Sequence, residues 1–181
     1  DRRPSNGLSR WCAENDINLL CYGSLAGGFI TEYWLEKPDP GFIFENRSLI
    51  KYRLIIDEFG GWDLFQTLLK TVKLIADKHL VSMTAVAVRY VLDQPQVGAV
   101  IIGARYAHHL SQTLSIFELS LDPDDYAILE EVIDQSHGPS GYVYELESYS
   151  TGRHGRIMEY NLNALKCSED KDNLNTKPEN L

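Results

Sequence analysis

The chain has 181 residues, 44% of them hydrophobic, including ten Tyr, six Phe and three Trp, with a formal net charge of −9. That is enough for one folded domain with a sizeable core. The charge argues against a general grip on nucleic acid, which needs a basic face, but not against a small anionic ligand, which needs only a local positive site. No apolar run reaches membrane-spanning length, so no membrane partner is expected. Cys12, Cys21 and Cys167 are an odd number without a CxxC pair. That pattern reads as reduced thiols in an intracellular, cytoplasmic setting. The opening Asp1-Arg2-Arg3-Pro4 carries no Met and no signal or transit pattern, as expected of a fragment or a processed product.

In chain order, Pro4 to Asn15 reads as a short helix with Leu8, Trp11 and Cys12 on one face. Ile17 to Tyr22 reads as a strand buried on both faces, as in a parallel sheet. Gly23-Ser24-Leu25-Ala26-Gly27-Gly28 is a small-residue loop at its C-terminal end. Tyr33 to Arg53 mixes aromatics, Pro and charges without a clear period and reads as a long ordered loop. Asp63 to Leu80 carries a stripe of Phe65, Leu68, Leu69, Val72, Ile75, Ala76 and His79, the pattern of an amphipathic helix. Ser82 caps a second helix, Met83 to Leu92, which Pro95 closes off. Val97 to Ile102 is a second buried strand, and Ala107 to Phe117 a helix. Asp122 as N-cap and Pro123 at N1 start a further helix, to about Gln135. His137 to Leu165 is aromatic and irregular. From Ser168 the sequence is polar and expected to fray, so the domain is expected over 1–165 with a disordered tail over 166–181.

This order is α/β alternation with parallel-type strands. Two strands do not make a stable parallel sheet, so either the chain holds strands this reading does not find or it is the back part of a larger repeat. The most informative stretch is Val100-Ile101-Ile102-Gly103-Ala104-Arg105 and the helical run after it. A strand tip gives close backbone approach, a helix N-terminus gives free N–H groups, and Arg adds a charged fork: these are the parts of a phosphate pocket, although the pattern is common and also fits a strand ending in an ordinary turn with Arg105 solvated.

Other chemistry-bearing residues have plainer readings. Arg89 fits a helix-surface ion pair. His108 and His109, adjacent on a helix, point about 100° apart and do not share a metal. His79 is a helix-end residue, Cys21 a small core hydrophobe, and Asp122 to Asp125 a helix start rather than a metal site. Tyr142, Tyr144 and Tyr149 fit either a substrate pocket or a loop packed on the domain.

Three segments in register resemble the aldo-keto reductases: Ile17 to Gly28 (INLLCYGSLAGG), Leu74 to Leu92 (LIADKHLVSMTAVAVRYVL) and Val100 to Thr113 (VIIGARYAHHLSQT). Thr151 to Asn161 is similar to the tail of a plant, algal or fungal branch. The resemblance implies the C-terminal part of a TIM (β/α)8 barrel, incomplete in this chain, and NADPH-dependent reduction of a small carbonyl substrate. It places Tyr22, Gly23, Ser24, Leu25 and Ala26 along the cofactor's pyrophosphate, with Gly23 and Ser24 where the family usually has Ser-Pro. It places Gly103, Ala104 and Arg105 at the adenosine 2′-phosphate. His109, Gln112 and Thr113 fall around the ribose phosphate and adenine. The family's catalytic Asp, Tyr, Lys and His belong to earlier strands, and no stretch here matches them, so no catalytic residue is assigned. A partner subunit or further sequence is expected to supply the missing strands. The rival expectations are a non-catalytic nucleotide-binding or interaction module and a truncated product.

Overall fold

The computed structural model describes residues 1–103, 111 and 114–158. Two strands, β1 (Leu19–Tyr22) and β2 (Val97–Ile101), pair in parallel. Leu19 faces Val97, Leu20 faces Ala99, Cys21 faces Val100 and Tyr22 faces Ile101, with an irregularity between Leu19 and Leu20. Three helices lie between the strands in sequence, the kind of crossover that parallel neighbours require. Gly98 allows the close approach at the start of the pair, where a Cβ would lie 2.9 Å from the Asn18 Cβ.

The expectation that both strands are buried on both faces does not hold within this chain. Leu20 is 63% exposed, Tyr22 52% and Ile101 57%. Side chains alternate across a strand. The helices cover the face that carries Cys21 and Val100, and the opposite face, with Leu20, Tyr22 and Ile101, is more than half exposed, met only at its Tyr22 end by Lys51 and Tyr144 among the described residues.

The core lies between helices. Helix α3 (Gly61–His79) packs against α2 (Arg47–Phe59), α4 (Met83–Leu92) and α5 (Pro123–Ile133). Phe65, Leu69, Val72, Ile75 and Ala76 of the expected stripe are buried. Leu68 and His79 sit at its partly buried margin. Trp62 of α3 joins Phe29, Trp34, Phe44 and Phe65 in an aromatic cluster. The Ser82 hydroxyl accepts the Ala85 N–H, which starts α4 as expected. Asp122 and Asp125 form a reciprocal capping box at the start of α5, with Pro123 in the first turn.

Helix α2 corrects the sequence reading, which assigns Tyr33 to Arg53 to a loop. Asn46 caps it, accepting the Ser48 N–H at 2.8 Å. Its buried face carries Leu54 and Ile56 but also Arg53, a cation at an inward position, which breaks the apolar period. Arg53 is buried because the Asp39 carboxylate accepts two of its N–H bonds and its guanidinium lies against the Phe42 and Trp62 rings. At the other end of the chain, α1 (Leu8–Glu14) is shorter than expected. Arg3–Ser5 is a separate 3-10 turn, and Gly7, at φ 95°, interrupts the helix. Cys12 is buried and Leu8 partly so, but Trp11 is 53% exposed, off the face the spacing assigned it to. Among the described residues after α5, the chain is irregular apart from α6 (Glu145–Ser148) and a turn at Gly155–Ile157. Most of the expected helix from Ala107 and all of the 166–181 tail fall outside the described residues. No helix among the described residues is long and apolar enough to cross a membrane.

Candidate cofactor site at the ends of the parallel strands

Parallel pairing brings both strand ends to one edge. Tyr22 and Ile101 are register partners, so the loop after Tyr22 and the segment Ile102-Gly103 leave the sheet side by side. The loop turns on glycines. Gly23 (φ 70°) and Gly27 (φ 67°) are left-handed, and a Cβ at either would fall 2.5 Å from an atom of the Tyr52 side chain. Glycine is therefore required twice, once by backbone conformation and once by the close approach of Tyr52 from α2. Ala26 is left-handed without being glycine, at φ 48°.

The loop uses its carbonyls internally. Gly23 C=O accepts from the Ala26 N–H at 2.8 Å, and Leu25 C=O from the N–H groups of Gly28 and Ile30. The N–H groups of Ser24 and Leu25 and the Ser24 hydroxyl have no partner among the described residues. Backbone N–H groups left free beside small residues suit an anion such as a phosphate. A dinucleotide's phosphates fit this donor set. Leu25 and Ala26 turn their side chains toward the core and so leave backbone facing outward. Gly103, at the end of the neighbouring strand, is exposed and has open space where a Cβ would be.

Aromatic and charged groups surround this edge. The Tyr22 and Tyr144 hydroxyls are 3.1 Å apart. That hydrogen bond and partial burial push the Tyr22 phenol up to about 12, so it stays protonated at neutral pH. The Lys51 ammonium lies 5.6 Å from the centre of the Tyr22 ring and 6.0 Å from that of Tyr52. Nearby, the Glu147 carboxylate accepts two bonds from the buried Arg3 guanidinium, both at 2.9 Å, which hold its pKa down at about 2.

Of the residues singled out from sequence, Tyr22, Gly23, Ser24, Leu25, Ala26 and Gly103 share this edge. Ala104, Arg105, His109, Gln112 and Thr113 lie outside the described residues, as does His108. Reading Tyr33 to Arg53 as a loop leaves Lys51 and Tyr52 without a role. The Asn46 cap and a helical count from it are the signal that places them. Tyr144 reaches the edge, whereas Tyr142 and Tyr149 are largely exposed. Arg89 forms the expected ion pair, with Asp93 one turn on. Partial burial pushes the Cys21 thiol up, which suits a packed side chain rather than a nucleophile.

The ligand atoms of His79, Asp122 and Asp125 lie within 4.8 Å of one another. The Lys78 ammonium already fills the cluster, 2.5 Å from Asp122 and 2.8 Å from Asp125, and His79 Nε2 is 2.7 Å from Asp125. This arrangement ties α3 to the cap of α5. Two open clefts lie elsewhere. One of about 740 Å³ is lined by Lys37, Asp39, Trp62 and Lys70 among others, and one of about 390 Å³ by Glu58, Tyr149 and His154 among others.

The chain also resembles known proteins. It is 33% identical to flagellar radial spoke protein 5 of Chlamydomonas reinhardtii over 85 residues, 45% of this chain and 16% of that protein. It is 26% identical to the aldo-keto reductase YhdN of Bacillus subtilis (strain 168) over 143 residues, 77% of this chain and 42% of that protein. The chain thus spans less than half the length of either relative. The model of the aldo/keto reductase family matches residues 1–134. With three motifs in register, two parallel strands and a glycine loop at their shared end, the chain belongs to the aldo/keto reductase family.

Proposed function

We propose that this chain carries the cofactor-binding half of a cytoplasmic, NADP(H)-dependent oxidoreductase that reduces aldehydes or ketones. In this reading the fold is part of a (β/α)8 barrel. The bare face of β1 and β2 is its interior, and further strands come from outside these residues or from a partner subunit. The observation that carries the proposal is the strand-end loop, with glycines held against Tyr52 and with N–H groups of Ser24 and Leu25 that have no partner among the described residues. Active sites of such barrels gather at the C-terminal ends of the strands.

The bound nicotinamide supplies the hydride. This chain's residues bind and orient. Tyr22 to Ala26 lie along the pyrophosphate, and Gly103, Ala104 and Arg105 take the adenosine 2′-phosphate. His109, Gln112 and Thr113 flank the ribose phosphate and adenine. No residue here is assigned as proton donor.

The test is a fluorescence titration of the full-length protein with NADPH and NADH, before and after Arg105→Ala. Only the 2′-phosphate distinguishes the two cofactors. A guanidinium on it makes charge-assisted bonds, so the variant is expected to lose about tenfold or more in NADPH affinity and little in NADH affinity. Equal losses would mean that Arg105 holds the loop instead. A second reading, a non-catalytic nucleotide-binding or interaction module, draws on the 33% match to a protein named for the flagellar radial spoke. It is favoured if the full-length protein binds NADPH yet reduces no carbonyl compound.

A further inference from the structure

We infer that Lys51 is the cation of the strand-end loop and holds the phosphate bridge shared by NADPH and NADH; the inference rests on the cofactor reading above. Lys51 projects from α2 one residue before Tyr52, the side chain that packs against Gly23 and Gly27. Its ammonium is set beside the rings of Tyr22 and Tyr52, at 5.6 and 6.0 Å, and these two residues flank the start of the loop. Ring faces attract the charge but accept no strong hydrogen bond. Among the described residues no carboxylate or carbonyl is hydrogen-bonded to this ammonium, which has three donors to offer. The neighbouring acid, Glu147, takes two bonds from Arg3 and attracts the Lys51 charge through space.

Three kinds of donor without a hydrogen-bond partner among the described residues therefore belong to this edge: the Lys51 ammonium, the N–H groups of Ser24 and Leu25, and the Ser24 hydroxyl. A phosphate bridge is their complement, two negative charges with acceptors only. An ammonium is a compact point charge, suited to a group that lies along a loop rather than in a planar fork. The aromatic faces hold that charge in place before the ligand arrives, which lowers the ordering cost of binding. Lys51 would then set affinity for both cofactors, whereas Arg105 sets the difference between them.

The experiment uses the full-length protein, with Lys51→Met and Lys51→Arg, and measures NADPH, NADH, 2′-AMP and inorganic pyrophosphate binding by calorimetry. Lys51→Met is expected to weaken NADPH and NADH by one common factor, about tenfold, and Lys51→Arg to recover most of it. Binding of 2′-AMP, which lacks the bridge, is expected to stay within about twofold. The inference is overturned if Lys51→Met binds both cofactors as the parent does, loses NADPH alone, or loses 2′-AMP to the same degree. If the parent protein binds neither cofactor, the cofactor reading fails and pyrophosphate decides. Pyrophosphate binding that Lys51→Met abolishes upholds the anion site, and none in the parent overturns it. Lys51→Gln replaces the methionine variant should that one lose its circular dichroism.

Discussion

The helical layer and the strand pair are built to different degrees of completion. In α2 to α5 the inward side chains are buried, the helix starts of α2, α4 and α5 have side-chain caps, and the buried Arg53 is paired with Asp39, with only its Nη1 lacking a hydrogen bond among the described residues. In β1 and β2 the face of Leu20, Tyr22 and Ile101 is more than half exposed, and the N–H groups of Ser24 and Leu25 in the adjoining loop have no partner among the described residues. Proteins satisfy buried polar groups and cover contiguous apolar surface wherever stability alone is at stake. The finished region is thus scaffold. The unfinished one is where the proposed function seats a ligand and further structure.

The largest effect that would sharpen this contrast is Leu69→Ala. Leu69 is fully buried in the middle of α3, and removing its methyls leaves a cavity that rigid neighbours cannot fill. A loss of about 3–4 kcal/mol is expected in urea unfolding. A loss below about 1 kcal/mol would show the helical layer to be loosely packed after all.

Next comes Glu147→Gln, which strips the buried Arg3 guanidinium of its best partner, at an expected cost of about 2–3 kcal/mol because Asp1 remains. The pair also sets an acid limit. Bonds from Arg3 lower the Glu147 pKa from an ordinary 4.5 to about 2. A lowered carboxylate pKa contributes stability that is fully present above about pH 4.5 and is lost as the pH falls toward 2. Thermal unfolding followed from pH 6 to pH 2.5 is expected to fall less steeply for the Gln variant than for the parent. Equal slopes would place the acid sensitivity elsewhere.

The smallest effect tests the open face. In the 181-residue chain Leu20→Ser is expected to change stability by under about 0.5 kcal/mol, since Leu20 is 63% exposed. In the full-length protein the same change is expected to cost about 2 kcal/mol if barrel strands cover that face. Equal small effects in both would break the contrast, and with it the barrel reading.

Much of this was legible in the residues. Helices α3, α4 and α5 announce themselves through the Phe65–Ala76 stripe, the Ser82 cap and the Asp122-Pro123 start, because a 3.6-residue period and a cap are local properties. The parallel pairing of two short apolar runs followed from the long helical crossover between them. The loop from Tyr22 to Ala26 and the Gly103 strand end were legible as motifs. Tertiary structure decided what depends on distant partners. Arg53 is an inward residue only because Asp39, Phe42 and Trp62 meet it, and that hid α2 together with Lys51 and Tyr52. Arg3 is buried only because Glu147, 144 positions away, receives it. The exposure of Leu20, Tyr22 and Ile101 depends on which surfaces cover the sheet, and a strand's own sequence carries no record of that. Local geometry is written in neighbouring residues, whereas the burial of a charge or a strand face is a property of the contacts the folded chain brings together.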